Sequence, residues 1–244
     1  MPVDPESACG WMIQRRVYPT ADAVARALAD SLIETFAAAA SVDHPVAVML
    51  AGGRTPKAAY QLIAASGRTA PPNLTLMISD ERWVPLDHAD SNYKMMSPFL
   101  DAVGASPAQR LMVNTALPRD AAAADFGQRL DAFFERGGKL VACFLGLGSD
   151  GHTASLFNPD QLRSAENRSA LDVDRPDGRV GISATPSIIR RAEKIVFVVT
   201  GSDKQEMARR LLTAPAGITA GQVVWRHPNA ALWLDREAAG DPVS

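Results

Sequence analysis

The segment Lys139 to Phe157 reads KLVACFLGLGSDGHTASLF, and it decides the fold class of this chain. Residues 140–145 are apolar without alternation, which is typical of a strand covered on both faces in a parallel sheet. The segment then changes to glycines, with Asp150 and His152 among them. Open α/β sheets bind their ligands where buried strands end in such loops, so we predict a functional site here with His152 as its reactive group.

Length and charge limit the class of protein. With 244 residues, of which 47% are hydrophobic, the chain can bury a substantial core. The net charge of -2 provides no basic excess for nucleic acid and no cationic face for a membrane, so we expect neither partner. The start of the chain carries Asp4 and Glu6 and no apolar segment, which predicts a cytoplasmic protein without a signal peptide. Cys9 and Cys143 predict neither a disulfide framework nor a zinc site.

The order of the elements predicts the fold. Strands of buried type alternate with helices along the chain, without an internal repeat or a low-complexity linker. This pattern predicts a single α/β domain with three layers (α/β/α) around an open, mainly parallel sheet. We place the domain at residues 17–239, after a flexible lead-in at 1–16 and before a tail at 240–244. We expect an exposed polar connection at 161–178.

Periodicity and turn residues give the individual elements. Predicted strands lie at 46–50, 74–78, 110–114, 140–145, 179–184, 194–200 and 231–234. Predicted helices lie at 21–40, 56–65, 94–103 and 121–136, after Pro186 and within 201–212, with a frayed end from Arg236. The expected N-caps are Thr20, Thr55, Asp120, and Ser202 or Asp203.

Four of these strands end in turns that contain glycine or aspartate, at Gly52, Asp80, Asp150 and Gly201. Because parallel strands run in one direction, these turns all lie along the same edge of the sheet. Residues that are distant in the sequence therefore converge, and the sequence predicts one crevice at the carboxyl edge.

The turn Gly52-Gly53-Arg54-Thr55 can hold an anion. Two residues without Cβ let backbone N–H groups approach an oxyanion, and the following helix adds its N-terminal dipole. Thr55 can donate its hydroxyl, and Lys204 can supply a point charge. The alternative is a tight strand-to-helix turn with nothing bound, which is common in this fold class.

The tripeptide Asp150-Gly151-His152 can carry proton transfer. A carboxylate two residues from an imidazole can orient it, and histidine is the side chain best matched to proton transfer near neutral pH. The alternative is a surface histidine beside an aspartate that caps a helix starting near Thr153.

No cofactor or metal is predicted for this loop. Gly146 and Gly148 resemble part of a dinucleotide fingerprint, but Asp150 beside Gly151 is unfavourable at a pyrophosphate contact. No cysteine or second histidine stands at ligand spacing from His152, which argues against a tetrahedral metal site.

The segment Asp80-Glu81-Arg82 supplies an acid and a guanidinium together. Arg82 can grip a carboxylate or phosphate with two N–H groups, and Asp80 can act as a second base or as an orienting group. The alternative is a solvated turn with a local ion pair.

The motifs GGRTP at 52–56, DERWVP at 80–85 with SNY at 91–93, and GLGSDGHTASLF at 146–157 occur together in this chain. In this combination they resemble the 6-phosphogluconolactonase family, a relative of the sugar-phosphate isomerases and deaminases, over residues 17–239. The resemblance implies an open α/β/α sheet and hydrolysis of 6-phospho-D-glucono-1,5-lactone in the pentose phosphate pathway. It implies a small-molecule substrate and no cofactor, and we expect a monomer or a weak homodimer.

The resemblance also implies roles for individual residues. His152 would be the general base, with Asp80 and Asp150 as its acidic neighbours. The phosphate or the developing negative charge would be held by glycine, hydroxyl and cationic residues, namely Gly52, Gly53, Arg54, Thr55, Arg82, Arg179 and Lys204. Which of the last three cations faces the phosphate and which faces the lactone stays open.

The chain departs from the family pattern at two places, since Asn158 is inserted before a proline and Gly181 and Ser183 replace threonines. The nearest rival is an amino-sugar-6-phosphate isomerase/deaminase, but that family follows its histidine with an acidic Asn-Glu-Pro segment that is absent here. A second rival is a non-catalytic sugar-phosphate sensor, against which the retention of Asp150 and His152 argues.

Overall fold

The computed structural model describes residues 11–241. Its strands are β1 (Gln14–Tyr18), β2 (Val46–Leu50), β3 (Leu74–Ile78), β4 (Asp80–Arg82), β5 (Arg110–Leu111), β6 (Lys139–Leu145), β7 (Ala170–Asp174), β8 (Val180–Ala184), β9 (Ile195–Val199) and β10 (Ala230–Asp235). Its helices are α1 (Ala21–Ala39), α2 (Arg54–Ala64), α3 (Asn92–Ala102), α4 (Arg119–Glu135), α5 (Pro159–Ser164), α6 (Pro186–Ile189), α7 (Gln205–Thr213), α8 (Thr219–Val223) and α9 (Arg236–Ala239). Two parts of the chain lie outside the described residues. They are residues 1–10 of the predicted lead-in, which include Cys9, and residues 242–244 of the predicted tail. Between residues 11 and 241, no helix is long and apolar enough to cross a membrane.

The main sheet is parallel throughout, in the order β1-β10-β9-β6-β2-β3-β5. From β2 the chain adds β3 and β5 on one side and then crosses back to place β6, β9 and β10 on the other. Helices flank this sheet, which confirms the predicted α/β class. The strand order reverses between β2 and β6, and open α/β sheets bind ligands at the carboxyl side of such a switch point.

A small antiparallel sheet lies beside the main one, in the order β4-β8-β7. The chain passes from β3 to β4 through Ser79 alone, so the small sheet begins at the carboxyl edge of the main sheet. Asp80 in β4 pairs with Ser183 in β8. This connection brings the polar residues of β4 to the predicted crevice.

Three predictions about connections and ends were wrong. The expected exposed connection at 161–178 contains part of α5 and all of β7, whose alternating apolar residues are too few to indicate a strand by periodicity. Residues 14–16, assigned to the lead-in, belong to β1, a largely exposed edge strand that is held by its backbone pairing with β10. The expected frayed end at Arg236 is α9, because Asp235 accepts a hydrogen bond from the N–H group of Ala238 and caps that helix.

The predicted helix caps have mixed outcomes. Thr20 caps α1 through the N–H group of Ala23, as expected. Thr55 and Asp120 do not cap their helices, since α2 begins after Gly53 and α4 begins after Pro118. Neither Ser202 nor Asp203 caps α7, because both lie in a 3-10 turn that precedes it.

Candidate active site

A cavity of about 300 Å³ lies at the carboxyl ends of the strands β2, β3, β6 and β9. Its lining brings together nearly all of the residues proposed from the sequence, namely Gly52, Gly53, Arg54, Thr55, Asp80, Arg82, His152 and Lys204. The predicted convergence of the four strand ends is therefore confirmed, with Thr200 and Lys204 representing the turn after β9.

His152 is held by Asp150. Nδ1 of His152 and Oδ1 of Asp150 are 2.5 Å apart, and the same oxygen accepts a hydrogen bond from the backbone N–H group of His152 at 3.1 Å. No helix starts at Thr153, where the chain forms a tight turn instead, so the alternative of a helix-capping aspartate is wrong. The histidine side chain is 26% exposed and borders the cavity. With Nδ1 engaged, Nε2 is the ring nitrogen that remains for a ligand.

The backbone of the loop explains its glycines. Gly148 donates its N–H group to the carbonyl oxygen of His152 at 2.8 Å, and a Cβ at Gly148 would overlap the His152 ring and the Asp150 carboxylate. Ala154 has a φ of 50°, in the left-handed region that a residue with a side chain seldom adopts. Such backbone strain is concentrated at functional sites, where the surrounding structure enforces it.

The Gly52–Thr55 turn has the features of an anion site. Gly53 has a φ of 110° and occupies the N-cap position of α2, where no side chain caps the helix. The first N–H groups of an uncapped helix favour negative charge. Thr55 instead places its hydroxyl 2.7 Å from the hydroxyl of Thr200, which joins the ends of β2 and β9. Nζ of Lys204 lies 3.3 Å from Oδ2 of Asp203.

Asp80 is 6% exposed and its carboxylate contacts hydroxyl groups. Oδ1 accepts from Ser79 at 2.9 Å, and Oδ2 accepts from Ser155 at 2.7 Å. Asp80, expected as an acidic neighbour of His152, has no hydrogen bond to that ring among the hydrogen bonds of the described residues. Asp80 therefore borders the cavity itself, and two serine hydroxyls rather than the imidazole occupy its carboxylate.

Glu81 and Arg82 have different surroundings. The carboxylate of Glu81 is fully buried and accepts from the N–H groups of Asn92 and Tyr93 and from the hydroxyl of Ser91, so it fixes the start of α3. Burial raises the pKa of Glu81. Arg82 borders the cavity and donates from Nη1 to the carbonyl oxygen of Asp90 at 2.7 Å.

Arg179 is a correction to the residues proposed from the sequence. Its guanidinium is 49% exposed, pairs with Asp90 at 2.9 Å, and does not border the cavity. Arg175, which the sequence analysis did not select, borders it and is only 11% exposed. The two residues face each other across the turn between β7 and β8, where the N–H group of Arg175 donates to the carbonyl oxygen of Arg179. The Pro-Asp-Gly run at 176–178 is a turn signal that would have indicated this hairpin.

Replacing Gly148 by alanine is expected to break the hydrogen bond between His152 and Asp150, because the new methyl group would occupy the space of both side chains. Gly146→Ala is the matched control, since a Cβ there meets nothing within 4 Å and neither glycine has a positive φ. Crystal structures of the two variants measure the result directly. A Gly148→Ala variant that keeps the Nδ1–Oδ1 contact would contradict this account of the loop.

Comparisons with known proteins agree with this geometry. A family model described as glucosamine-6-phosphate isomerases/6-phosphogluconolactonase matches residues 19–233. The 6-phosphogluconolactonase of Nostoc sp. is 33% identical over 205 residues, which cover 81% of this chain and 84% of that protein. The 6-phosphogluconolactonase of Haemophilus influenzae is 30% identical over 192 residues, covering 77% of this chain and 82% of that protein.

Among solved structures, the crystal structure of devB protein superposes with a TM-score of 0.80 at 28% identity, covering 94% of this chain and 99% of that one. The family model spans most of the chain, and the two sequence relatives cover more than two thirds of it. All residues that line the cavity, from Ala51 to Lys204, lie within the region that the family model matches. This chain therefore belongs to the family of glucosamine-6-phosphate isomerases and 6-phosphogluconolactonases.

Proposed function

We propose that this chain hydrolyses 6-phospho-D-glucono-1,5-lactone to 6-phospho-D-gluconate, the lactonase step of the pentose phosphate pathway, and that it does so in the cytoplasm. The observation that carries the proposal is His152, held by Asp150 at a cavity that also contains an uncapped helix N-terminus and cationic side chains. A phosphorylated lactone requires both parts, a base to activate water and positive groups to bind phosphate. The relatives named 6-phosphogluconolactonase support this assignment.

The proposed reaction begins at Nε2 of neutral His152. This nitrogen takes a proton from a water molecule while the water oxygen forms a bond to C1 of the lactone, and the carbonyl oxygen becomes an oxyanion. The imidazolium then gives the proton to the ring oxygen as the bond between C1 and that oxygen breaks. Asp150 holds Nδ1–H throughout and stabilises the imidazolium by its charge. The ester bond is cleaved without a covalent intermediate.

The remaining residues of the cavity bind the substrate in this proposal. The phosphate site consists of the N–H groups after Gly53, the hydroxyl of Thr55 and the ammonium of Lys204. These groups lie together at the joined ends of β2 and β9. Preorganised positive groups stabilise the charge that develops on the oxyanion, and Arg82 is one such group at the cavity.

The main rival on this fold, deamination of an amino-sugar phosphate, needs a further acid near the histidine. Among the described residues, Asp80 is the one carboxylate in the lining of the cavity, and Ser79 and Ser155 occupy its oxygens. The turn that follows His152 contains no acid up to Phe157. This composition favours lactone hydrolysis over deamination.

His152→Ala is expected to lower kcat by about a hundredfold or more, because the variant lacks the group that removes the proton from water. The rate of spontaneous lactone opening is subtracted before kcat is calculated. The assay follows freshly generated lactone at mildly acidic pH, where spontaneous opening is slow. His44→Ala is the matched control, since His44 borders a different cavity at the opposite edge of the sheet. Lactonase activity of His152→Ala close to that of the wild type would refute the role of His152.

The wild-type protein separates the two rivals in the same experiment. Release of ammonia from glucosamine 6-phosphate would favour the deaminase. Tight binding of 6-phosphogluconate without any acceleration of lactone opening would favour the non-catalytic sensor.

Asp150 provides a pH test of the pair. Burial alone would raise the pKa of Asp150, but the hydrogen bonds and charge of His152 outweigh burial and hold this pKa below its usual range. A carboxyl group whose pKa is lowered by folding contributes stability above its unfolded pKa, about 3.9 for aspartate, and loses that contribution as the pH falls through the lowered folded pKa.

Asp150→Asn is therefore expected to unfold at a lower denaturant concentration than the wild type at neutral pH, and this difference should vanish on acidification below the usual aspartate pKa. Urea titrations at a series of pH values measure it, with Asp87→Asn in an exposed loop as the control. If the difference in urea midpoint between the wild type and Asp150→Asn grew as the pH fell, the lowered pKa of Asp150 would be contradicted.

A further inference from the structure

We propose that Arg175 binds the C1 end of the ligand, the oxyanion during hydrolysis and the carboxylate of the product, while the Gly53–Thr55 turn and Lys204 bind the phosphate. This inference rests on the proposed lactonase function. It gives Arg175 a ligand-binding role in place of Arg179, and it gives Asp80 and Ser155 a positioning role.

The guanidinium of Arg175 has hydrogen-bonding capacity left for a ligand. Nη1 donates to the hydroxyl of Ser155 at 2.9 Å, and Nε lies 3.4 Å from Oδ2 of Asp177. Nη2 has no hydrogen bond to any described residue. In the part of the chain that the structure describes, Nε of Arg82 is the one fully buried side-chain nitrogen or oxygen without a partner. Nη2 of Arg175 is therefore not sealed inside protein, and Arg175 borders the cavity.

Phe157 contacts both this guanidinium and the His152 ring. The guanidinium carbon of Arg175 lies 5.0 Å from the centre of the Phe157 ring, and the His152 ring centre lies 4.3 Å from the same point. The phosphate turn and Lys204 belong to the main sheet, at the ends of β2 and β9, whereas Arg175 belongs to the hairpin of the small sheet. The two sheets thus each bring positive charge to the cavity, as a ligand with two anionic ends requires.

Asp80 and Ser155 fix the direction of Arg175. The Ser155 hydroxyl donates its proton to Oδ2 of Asp80, so its oxygen lone pairs accept from Arg175. All three groups are shielded, because Asp80 and Ser155 are buried and Arg175 nearly so. The relay preorganises the guanidinium, which reduces the entropy that is lost when a ligand binds.

Gly181 provides the space for this relay. A Cβ at Gly181 would lie 2.7 Å from the hydroxyl oxygen of Ser155, closer than the two atoms can approach. Gly181 is one of the positions at which this chain departs from the family pattern, and its lack of a side chain leaves room for Ser155, the residue that orients Arg175. A guanidinium held in this way can donate two parallel hydrogen bonds to a carboxylate, a geometry that a lysine cannot reproduce.

The test compares two ligands that differ only at C1. Isothermal titration measures the binding of 6-phosphogluconate, which carries a phosphate and a carboxylate, and of glucitol 6-phosphate, which has the same six carbons and no carboxylate. Arg175→Gln is expected to weaken 6-phosphogluconate roughly ten- to hundredfold, as the loss of a charge-assisted pair does, and to change glucitol 6-phosphate by less than about twofold. Lys204→Gln is expected to weaken both ligands alike.

Three further variants make the result specific. Arg175→Lys keeps the positive charge but cannot donate two parallel hydrogen bonds to a carboxylate. It should therefore bind 6-phosphogluconate more tightly than Arg175→Gln and more weakly than the wild type. Ser155→Ala should reproduce part of that loss by freeing the guanidinium. Arg163→Gln, on the exposed helix α5, is the matched control and should bind both ligands like the wild type.

Equal weakening of both ligands by Arg175→Gln, with unchanged thermal unfolding, would overturn the proposal, because Arg175 would then face the phosphate or act only on the fold. A selective loss in Arg179→Gln instead of Arg175→Gln would overturn it in favour of Arg179. Wild-type protein that binds 6-phosphogluconate without lactonase turnover would refute the proposed function, yet the ligand comparison would still decide where the carboxylate lies. Wild-type protein that does not bind 6-phosphogluconate would refute both.

Discussion

The parallel pairing of β2 with β6 is the constraint on which the rest of the structure depends. The register joins Val46 to Lys139 and Met49 to Cys143, so both strands finish at the same edge of the sheet. The chain continues as Ala51-Gly52 after β2 and as Gly146 after β6. Both strands are apolar and almost completely buried, which makes their alignment costly to change. A helix N-terminus and a histidine loop are thereby held side by side, although about 100 residues separate them in the chain.

The small sheet completes the site from the other direction. Because Ser79 alone separates β3 from β4, the polar residues of β4 lie directly at the carboxyl edge. Asp80 then contacts Ser155 from the loop that follows His152, and Ser155 contacts Arg175 from the β7–β8 hairpin. Three segments that are distant in the sequence are joined by two hydrogen bonds. The site is therefore a property of both sheets, with His152 after a strand of one and Arg175 from the hairpin of the other.

The parts of this arrangement that depend on buried apolar runs could be predicted from the sequence. The main strands β2, β3, β6 and β9 and the convergence of their ends were predicted because each strand is almost entirely apolar. The strands β1 and β7 were missed because an exposed edge and a two-residue alternation give little periodicity. The caps were less predictable, since the hydroxyl of Thr55 bonds to Thr200, a tertiary contact that no local pattern reveals.

The choice between Arg175 and Arg179 shows the same limit at the site. The resemblance to a family selects Arg179 by its place in a motif, whereas the hairpin register turns that residue towards Asp90 and Arg175 towards the cavity. Arg175 and Arg179 are only four positions apart, but the turn at 176–178 lies between them, so their side chains point in different directions. That direction depends on how β7 and β8 pair, which the sequence analysis did not anticipate.

The orientation of bound product tests the central claim most directly. A crystal structure with 6-phosphogluconate should place the carboxylate within hydrogen-bonding distance of Nε2 of His152 and of Arg175. The phosphate should lie on the N–H groups of the Gly53–Thr55 turn, near Lys204. A product bound in the reverse orientation, with its phosphate beside His152, would contradict the account.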